Sequence, residues 1–201
     1  AAAGAQAFSR WTAEELHAAG SAKYQAGQFL AAEELYRAAL QRDPRHVRTL
    51  CNLGALLHNT KNQYAEAERF YHAALAEDPT DLVTLYNCGL LLEASSDGSV
   101  EALHRAEDMY RRALERDPNH VDSLVNRACL RHLVRGDLDG AEQMFIRALK
   151  IQPNHVDGLC NYAMLLRDGR GRPDQARELV RHAARVAPQD AWIKQHAAAF
   201  E

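Results

Sequence analysis

β-branched residues are scarce in this sequence: 9 Val, 3 Ile and 5 Thr among 201 residues, against 36 Ala and 25 Leu. Stiff β-branched side chains favour a pleated sheet, whereas Ala and Leu lose little freedom in a helix, so the shortage excludes a sheet-rich fold and predicts an all-α chain. No apolar run approaches the roughly 18 residues of a membrane span, and the N-terminus lacks the basic-then-apolar pattern of a signal peptide, so no membrane insertion is expected. An excess of positive charge is missing too. With 24 Lys and Arg against 27 Asp and Glu, the net charge is −3, which gives no overall footprint for nucleic acid. Cys51, Cys88, Cys129 and Cys160 are the four cysteines. Their wide, unpaired spacing is not that of a zinc site or a disulfide frame and reads as reduced thiols, hence a reducing, cytoplasmic compartment. A nucleophile with a neighbouring base, a glycine-rich phosphate loop and paired catalytic carboxylates are all lacking, so neither enzyme activity nor a cofactor is expected. The chain begins without Met and stops abruptly at Glu201, which reads as a piece of a longer protein. Residues 1–12 are expected to be a disordered or weakly ordered segment.

What is present is a repeat. Pro44, Pro79, Pro118, Pro153 and Pro188 recur at intervals of 35, 39, 35 and 35 residues. In register with them stand Ala32, Ala67, Ala106, Ala141 and Ala176; four residues later Tyr36, Tyr71, Tyr110, Phe145 and Val180; three later again Ala39, Ala74, Ala113, Ala148 and Ala183. The spacing 0, 4, 7 is one face of a helix. Upstream, Leu16, Leu50, Leu85, Leu124 and Leu159 are each followed four residues on by Gly20, Gly54, Gly89, Ala128 and Ala163, the mark of a second helix whose small residues admit a close partner. Each unit is a helical hairpin, ended by a proline that cannot donate the helical hydrogen bond.

These columns resemble the tetratricopeptide repeat family, whose 34-residue helix–turn–helix has the same small-residue, aromatic and proline positions. The resemblance implies a right-handed superhelical solenoid of five such repeats (13–46, 47–81, 82–120, 121–155 and 156–190) with a capping helix over 190–201. The departures from 34 are placed in the turns within hairpins: near Lys61 and Asn62, across Ser95 to Val100, and once in each of the last two. Thr12 with Glu15 forms a capping-box pattern that starts the first helix at Ala13. Asp190 caps a short last helix through Trp192, Ile193 and Phe200 that covers the final hairpin, making eleven helices. Arg127 breaks a column occupied elsewhere by Ala19, Leu53, Cys88 and Tyr162, which puts the packing of the fourth unit in question.

The concave face of such a solenoid is lined by the first helices. Two residues before the small column stand Asn52, Asn87, Asn126 and Asn161, with Ala18 in the first unit. A carboxamide both donates and accepts, so a row of them reads the backbone of an extended peptide whatever its side chains. Neighbouring helices pack roughly 8–10 Å apart and an extended chain rises about 3.3 Å per residue, so one Asn serves about three peptide residues. The row is similar to the asparagine ladder in the tetratricopeptide superhelix of O-linked N-acetylglucosamine transferase. That likeness implies peptide binding and not glycosyl transfer; equally, Asn at this place can serve local helix contacts alone. Beside the ladder stand Cys51, Tyr86, Val125 and Cys160, and three residues beyond it Leu90, Cys129 and Met164. This is an apolar wall suited to a partly apolar peptide, unless these side chains pack against neighbouring hairpins instead. Asp122 and Asp157 recur at one groove edge, His132 and Arg167 at the other. The expected role is a non-catalytic adaptor or scaffold holding an extended segment of a protein partner; the alternatives are a structural subunit packing through its convex helices, or the recognition domain of a larger enzyme.

Related members clamp the C-terminal carboxylate of heat-shock chaperones with Lys, Asn and Arg. The matching basic positions here are His17, Val83 and Asn87, and later windows place Asp122 or Asp157 where Lys is needed, so that clamp is excluded. His46, His120 and His155 occupy equivalent turns and read as caps, not as metal ligands, because equivalent turns lie a helix spacing apart. Glu101, His104 and Asp108 share a helix face that reads as solvated. Ser99 is expected to cap the helix that follows it, Ser95 and Ser96 lie in the same insertion, and the arginines from Arg167 to Arg185 alternate with acids as a soluble face.

Overall fold

Every hairpin begins at a side-chain cap or a pre-set bend. Thr12 accepts from the Glu15 amide while the Glu15 carboxylate accepts from the Thr12 amide, and this reciprocal pair starts the first helix at Ala13. Between hairpins, Asp43, Asp78 and Asp117 have extended backbone at the ends of their helices, as a residue before proline must. Their carboxylates then accept from the amides of Arg45, Thr80 and Asn119. A cap follows at once: His46, Asp81, His120, His155 and Asp190 each accept from an amide three residues on. The three histidines are therefore caps.

The computed structural model describes residues 10–95 and 99–200, which form eleven α-helices in helix–turn–helix pairs. The chain divides into two units, 1–97 and 98–201. The first holds α1 (Ala13–Gln25), α2 (Phe29–Arg42), α3 (Val47–Lys61), α4 (Tyr64–Glu77) and α5 (Leu82–Ala94). Here α1 pairs with α2 and α3 with α4, while α5 packs on both members of the second pair. The second unit holds α6 (Val100–Arg116), α7 (Val121–Arg135), α8 (Leu138–Ile151), α9 (Val156–Met164), α10 (Pro173–Val186) and α11 (Ala191–His196). There α7 pairs with α8 and α9 with α10, α6 packs on α7, and α11 runs into a 3₁₀ turn, Ala197–Phe200. Ile193 and Phe200 are buried on the last pair together with Trp192, so the end of the chain covers it as expected. The segment 1–9 and Ser96 lie outside the described residues.

The aromatic column is the interior. Tyr36, Tyr71, Tyr110 and Phe145 are at most 1% exposed. A Cβ at Gly20 would stand 2.7 Å from the Tyr36 ring, and one at Gly54 2.8 Å from the Tyr71 ring, so only glycine lets these helices meet over a tyrosine. In the second unit the small residue is Ala128 or Ala163 and the facing residue is Phe145 or Val180, all buried; a larger small residue goes with a smaller partner.

The extra residues are absorbed differently from the turn insertions expected. The added residue of the second hairpin lengthens α3, which ends at Asn62 in the left-handed region at φ 52°. In the last hairpin it is taken up as a π-helical turn, Leu165–Gly169, that continues α9. Extending a helix keeps its backbone groups paired, which an added loop residue does not. Ser99 stands at the N-cap of α6 but makes no side-chain capping bond.

Candidate peptide-binding face

Asn52 and Asn87 sit on α3 and α5 of the first unit, Asn126 and Asn161 on α7 and α9 of the second, all half-buried. Three of the four carboxamides reach toward a neighbouring helix with long bonds. Asn52 Nδ2 donates to Ser21 Oγ at 3.4 Å, Asn87 Nδ2 to Cys51 Sγ at 3.6 Å and Asn126 Nδ2 to Tyr110 OH at 3.4 Å. The two bonds to hydroxyl oxygens are long and therefore weak, and the third is weak because sulfur is a poor acceptor. Around Asn52 opens a cleft of about 350 Å³ lined by His17, Ser21, Tyr24, Tyr36, Arg48 and Asn52, so a carboxamide, a hydroxyl and a guanidinium converge beside a ring.

The apolar wall divides. Tyr86, Leu90, Cys129 and Met164 are half-buried and keep some surface. Cys51, Val125 and Cys160 are only 2%, 1% and 7% exposed and offer a ligand nothing; Val125 belongs to the core around Phe145, and Cys160 to the core around Ala183 and Ile193. Their position one residue before the Asn turns them about 100° around the helix, toward the neighbouring hairpin. Burial pushes the Cys51 thiol up, and burial with the nearby carboxylates of Asp190 and Asp157 raises Cys160 to about 12, so neither is a thiolate nucleophile at neutral pH. None of the four cysteines is joined in a disulfide.

The acidic edge is exposed but not idle. Asp122 Oδ1 meets His155 Nε2 at 2.9 Å, joining the start of α7 to the cap of α9. Glu14 makes the same link to His46 Nε2 at 2.9 Å in the first unit and also pairs with Arg48. The cap that follows Asp157 is Asp190, a second carboxylate, so this link is not repeated there. Beneath the Glu14 pair lies a buried relay: His46 Nδ1 is 2.7 Å from Thr49 Oγ1, which is 3.1 Å from Nδ1 of His17. Burial, with the charges of Arg48 and His46, pushes the His17 pKa down, favouring a neutral imidazole in the interior.

A set of charged residues that the sequence reading passed over binds successive hairpins. Glu33 pairs with Lys61, Glu107 with Arg135 at 2.7 Å, and Glu142 with both Arg172 at 2.6 Å and Arg170 at 3.0 Å. The signal was there: an acid directly after the alanine column at 32, 106 and 141, and a base 28 residues beyond that acid. The arginine run is thereby largely engaged within the chain. Arg167 pairs with Asp168 and lies over the Phe200 ring at 4.3 Å, and Arg177 donates to the Phe200 carbonyl. Among the described residues no three His, Cys, Asp or Glu converge as a metal site, and no helix is long and apolar enough to cross a membrane.

Comparison with known proteins agrees with this construction. Residues 17–81 and 109–143 each match a tetratricopeptide repeat family model. No curated protein sequence matches the chain. Among solved structures, a tetratricopeptide repeat protein of Parabacteroides merdae superposes with a TM-score of 0.72 at 23% identity, over 94% of this chain and 72% of that one. The thermophilic TPR protein TTC0263 of Thermus thermophilus gives 0.73 at 19%, over 94% and 98%, and pilF of Pseudomonas aeruginosa 0.77 at 20%, over 94% and 88%. At such identities the likeness is one of fold. Repeat spacing, paired helices, glycine-to-tyrosine packing and these matches together make the chain a tetratricopeptide repeat protein.

Proposed function

We propose that the chain is a non-catalytic interaction module whose first helices hold an extended, partly apolar peptide segment of a protein partner. Tetratricopeptide repeat proteins mediate protein interactions and the family is typically non-catalytic. The observation that carries the reading is the state of the asparagines: half-buried side chains whose bonds to Ser21, Cys51 and Tyr110 run from 3.4 to 3.6 Å. A carboxamide so weakly held exchanges its neighbour for a peptide group at little cost, and the result is a backbone contact independent of peptide sequence. Tyr86, Leu90, Cys129 and Met164 supply apolar contact beside it, and Asp122 and Asp157 an acidic edge for a basic residue. YrrB, of similar fold at 20% identity and a TM-score of 0.69, is described as a TPR protein with an unusual peptide-binding site. Within each unit the two asparagines act as a pair, Asn52 with Asn87 and Asn126 with Asn161.

The test is capture of the partner from native extract, synthesis of the bound segment and its titration against the parent and the double variant of either within-unit pair, Asn52→Ala with Asn87→Ala or Asn126→Ala with Asn161→Ala. Losing backbone bonds at two asparagines costs about 2 kcal/mol, roughly thirtyfold in Kd, with the helical circular dichroism unchanged. Affinity equal to the parent's in both double variants would remove the asparagines from the interface.

A further inference from the structure

Arg127 places a guanidinium where the equivalent positions carry Ala19, Leu53, Cys88 and Tyr162. Its side chain is 19% exposed, and its closest ion pair is with Glu107 of α6, 3.6 Å from Nε. Glu107 is already held by Arg135 at 2.7 Å. The buried Nε of Arg127 has no hydrogen-bond partner, and the same is true of the buried Nε of Arg131 one turn on, whose terminal nitrogen pairs with Asp137. Leu124, Arg127 and Arg131 follow at i, i+3 and i+7 and so share one side of α7, about 100° or more from Asn126.

Both arginines line an open cleft of about 450 Å³ walled by α6, α7 and α8. Arg111 and Arg147 also line it, with Leu114 and Met144 as apolar surface. Arg111 pairs with Asp108 and with Glu115, a carboxylate that lines the cleft as well. Arg147, which is exposed, donates to the neutral side-chain oxygen of Asn119 at 3.3 Å. Arg127 shares Glu107 with Arg135, two guanidiniums on one carboxylate, and Arg147 pairs with no carboxylate, so the side chains around the cleft carry surplus positive charge. Burial lowers the pKa of Arg127 most, Glu107 opposes it, and the charges of Arg131 and Arg111 add a smaller repulsion.

We propose that this cleft binds a phosphate monoester carried on a peptide, the phosphoserine or phosphothreonine of a protein partner, with its flanking apolar residues against Leu114 and Met144. A phosphate monoester carries about −1.5 to −2 charge at neutral pH, which suits this surplus, and its three oxygens accept from the guanidiniums that line the cleft. Arginine's planar fork is the side chain suited to such an anion. The cleft lies apart from the asparagines, so it stands or falls independently of the function proposed above.

The full chain is titrated at low salt with a fluorescent Ala-Leu-pSer-Leu-Ala peptide, its serine and glutamate forms, and inorganic phosphate. The phosphopeptide binds, the glutamate form binds about tenfold or more weakly, and the serine form does not bind. Inorganic phosphate competes, at lower affinity than the phosphopeptide. Arg147→Gln, at an exposed position, and Arg127→Leu, which introduces the residue of the second hairpin, each weaken the phosphopeptide about tenfold or more at unchanged helicity. If Arg127→Leu does not fold, Arg147→Gln decides. The proposal is overturned by absence of phosphopeptide binding at millimolar concentration, by equal binding of the serine form, by inorganic phosphate binding as tightly as the phosphopeptide, or by affinity unchanged in Arg147→Gln.

Discussion

Two equivalent tyrosines should respond to the same substitution with opposite signs. Tyr36 OH donates to Ser21 Oγ at 3.2 Å. The hydroxyl of Tyr71 is buried with no hydrogen-bond partner, because Ala55 follows Gly54 where Ser21 follows Gly20; burial raises its pKa strongly. Removing the Tyr36 hydroxyl forfeits a made bond and destabilises by about 0.5–1.5 kcal/mol. Removing the Tyr71 hydroxyl abolishes a desolvated, unsatisfied group whose penalty is about 1–3 kcal/mol; the small void left offsets part of this, for a net stabilisation of about 1 kcal/mol. Tyr36→Phe and Tyr71→Phe therefore end about 2 kcal/mol apart. With a slope of about 2 kcal/mol per molar urea, the midpoints move roughly half a molar down and half a molar up, measurable by far-ultraviolet circular dichroism of the full chain. Ala55→Ser supplies the missing acceptor, so it should stabilise the Tyr71 protein and do little for Tyr71→Phe, a coupling that a double-mutant cycle isolates. A destabilised Tyr71→Phe, or additivity in that cycle, would refute the reasoning.

Two further predictions concern the first unit. Gly54→Ala drives a methyl to 2.8 Å from the Tyr71 ring and should cost about 1–3 kcal/mol, whereas Gly54→Ala combined with Tyr71→Leu should recover part of it; an innocuous Gly54→Ala in urea denaturation would contradict the close approach. His17 is 2% exposed with its pKa lowered chiefly by burial, so the unfolded chain takes up its proton first as the pH falls. Stability stays on its plateau above about pH 6.5 and declines below it. Since His58 is shifted in the same direction by burial, His17→Gln should flatten the decline only in part, and an unaltered pH profile of the denaturation midpoint would argue against a buried neutral imidazole at this position.

Much of the architecture was legible because a repeat states its packing several times. Five prolines in register, the small column and the aromatic column predict the hairpins, and Thr12 and Asp190 predict where the first and last helices begin. The histidine caps were legible for the same reason: three equivalent turns cannot bring their side chains to one metal ion. The fate of the insertions was not, since an extra residue can enter a turn, lengthen a helix or form a π turn at similar local cost, and the packing of Leu165 into the core around Phe145 and of Leu166 into the last pair is a tertiary matter. Nor was the division of the apolar wall. Cys51 and Tyr86 precede their asparagines by the same single residue, yet one is in the core and the other keeps surface.

By itself, then, the order of residues determined the helical class, the hairpin period, the capped starts and the alanine and glycine columns, all properties of separations below forty residues along the chain. Tertiary structure alone decided which asparagine contacts are long and weak, which wall residues are buried, and that Arg127 and Arg131 line a cleft with Arg111 while Arg127 shares Glu107 with Arg135. The reason is physical. Local sequence specifies backbone conformation and the face of each helix, but whether a polar group is satisfied depends on what a neighbouring helix brings to within about 3 Å of it.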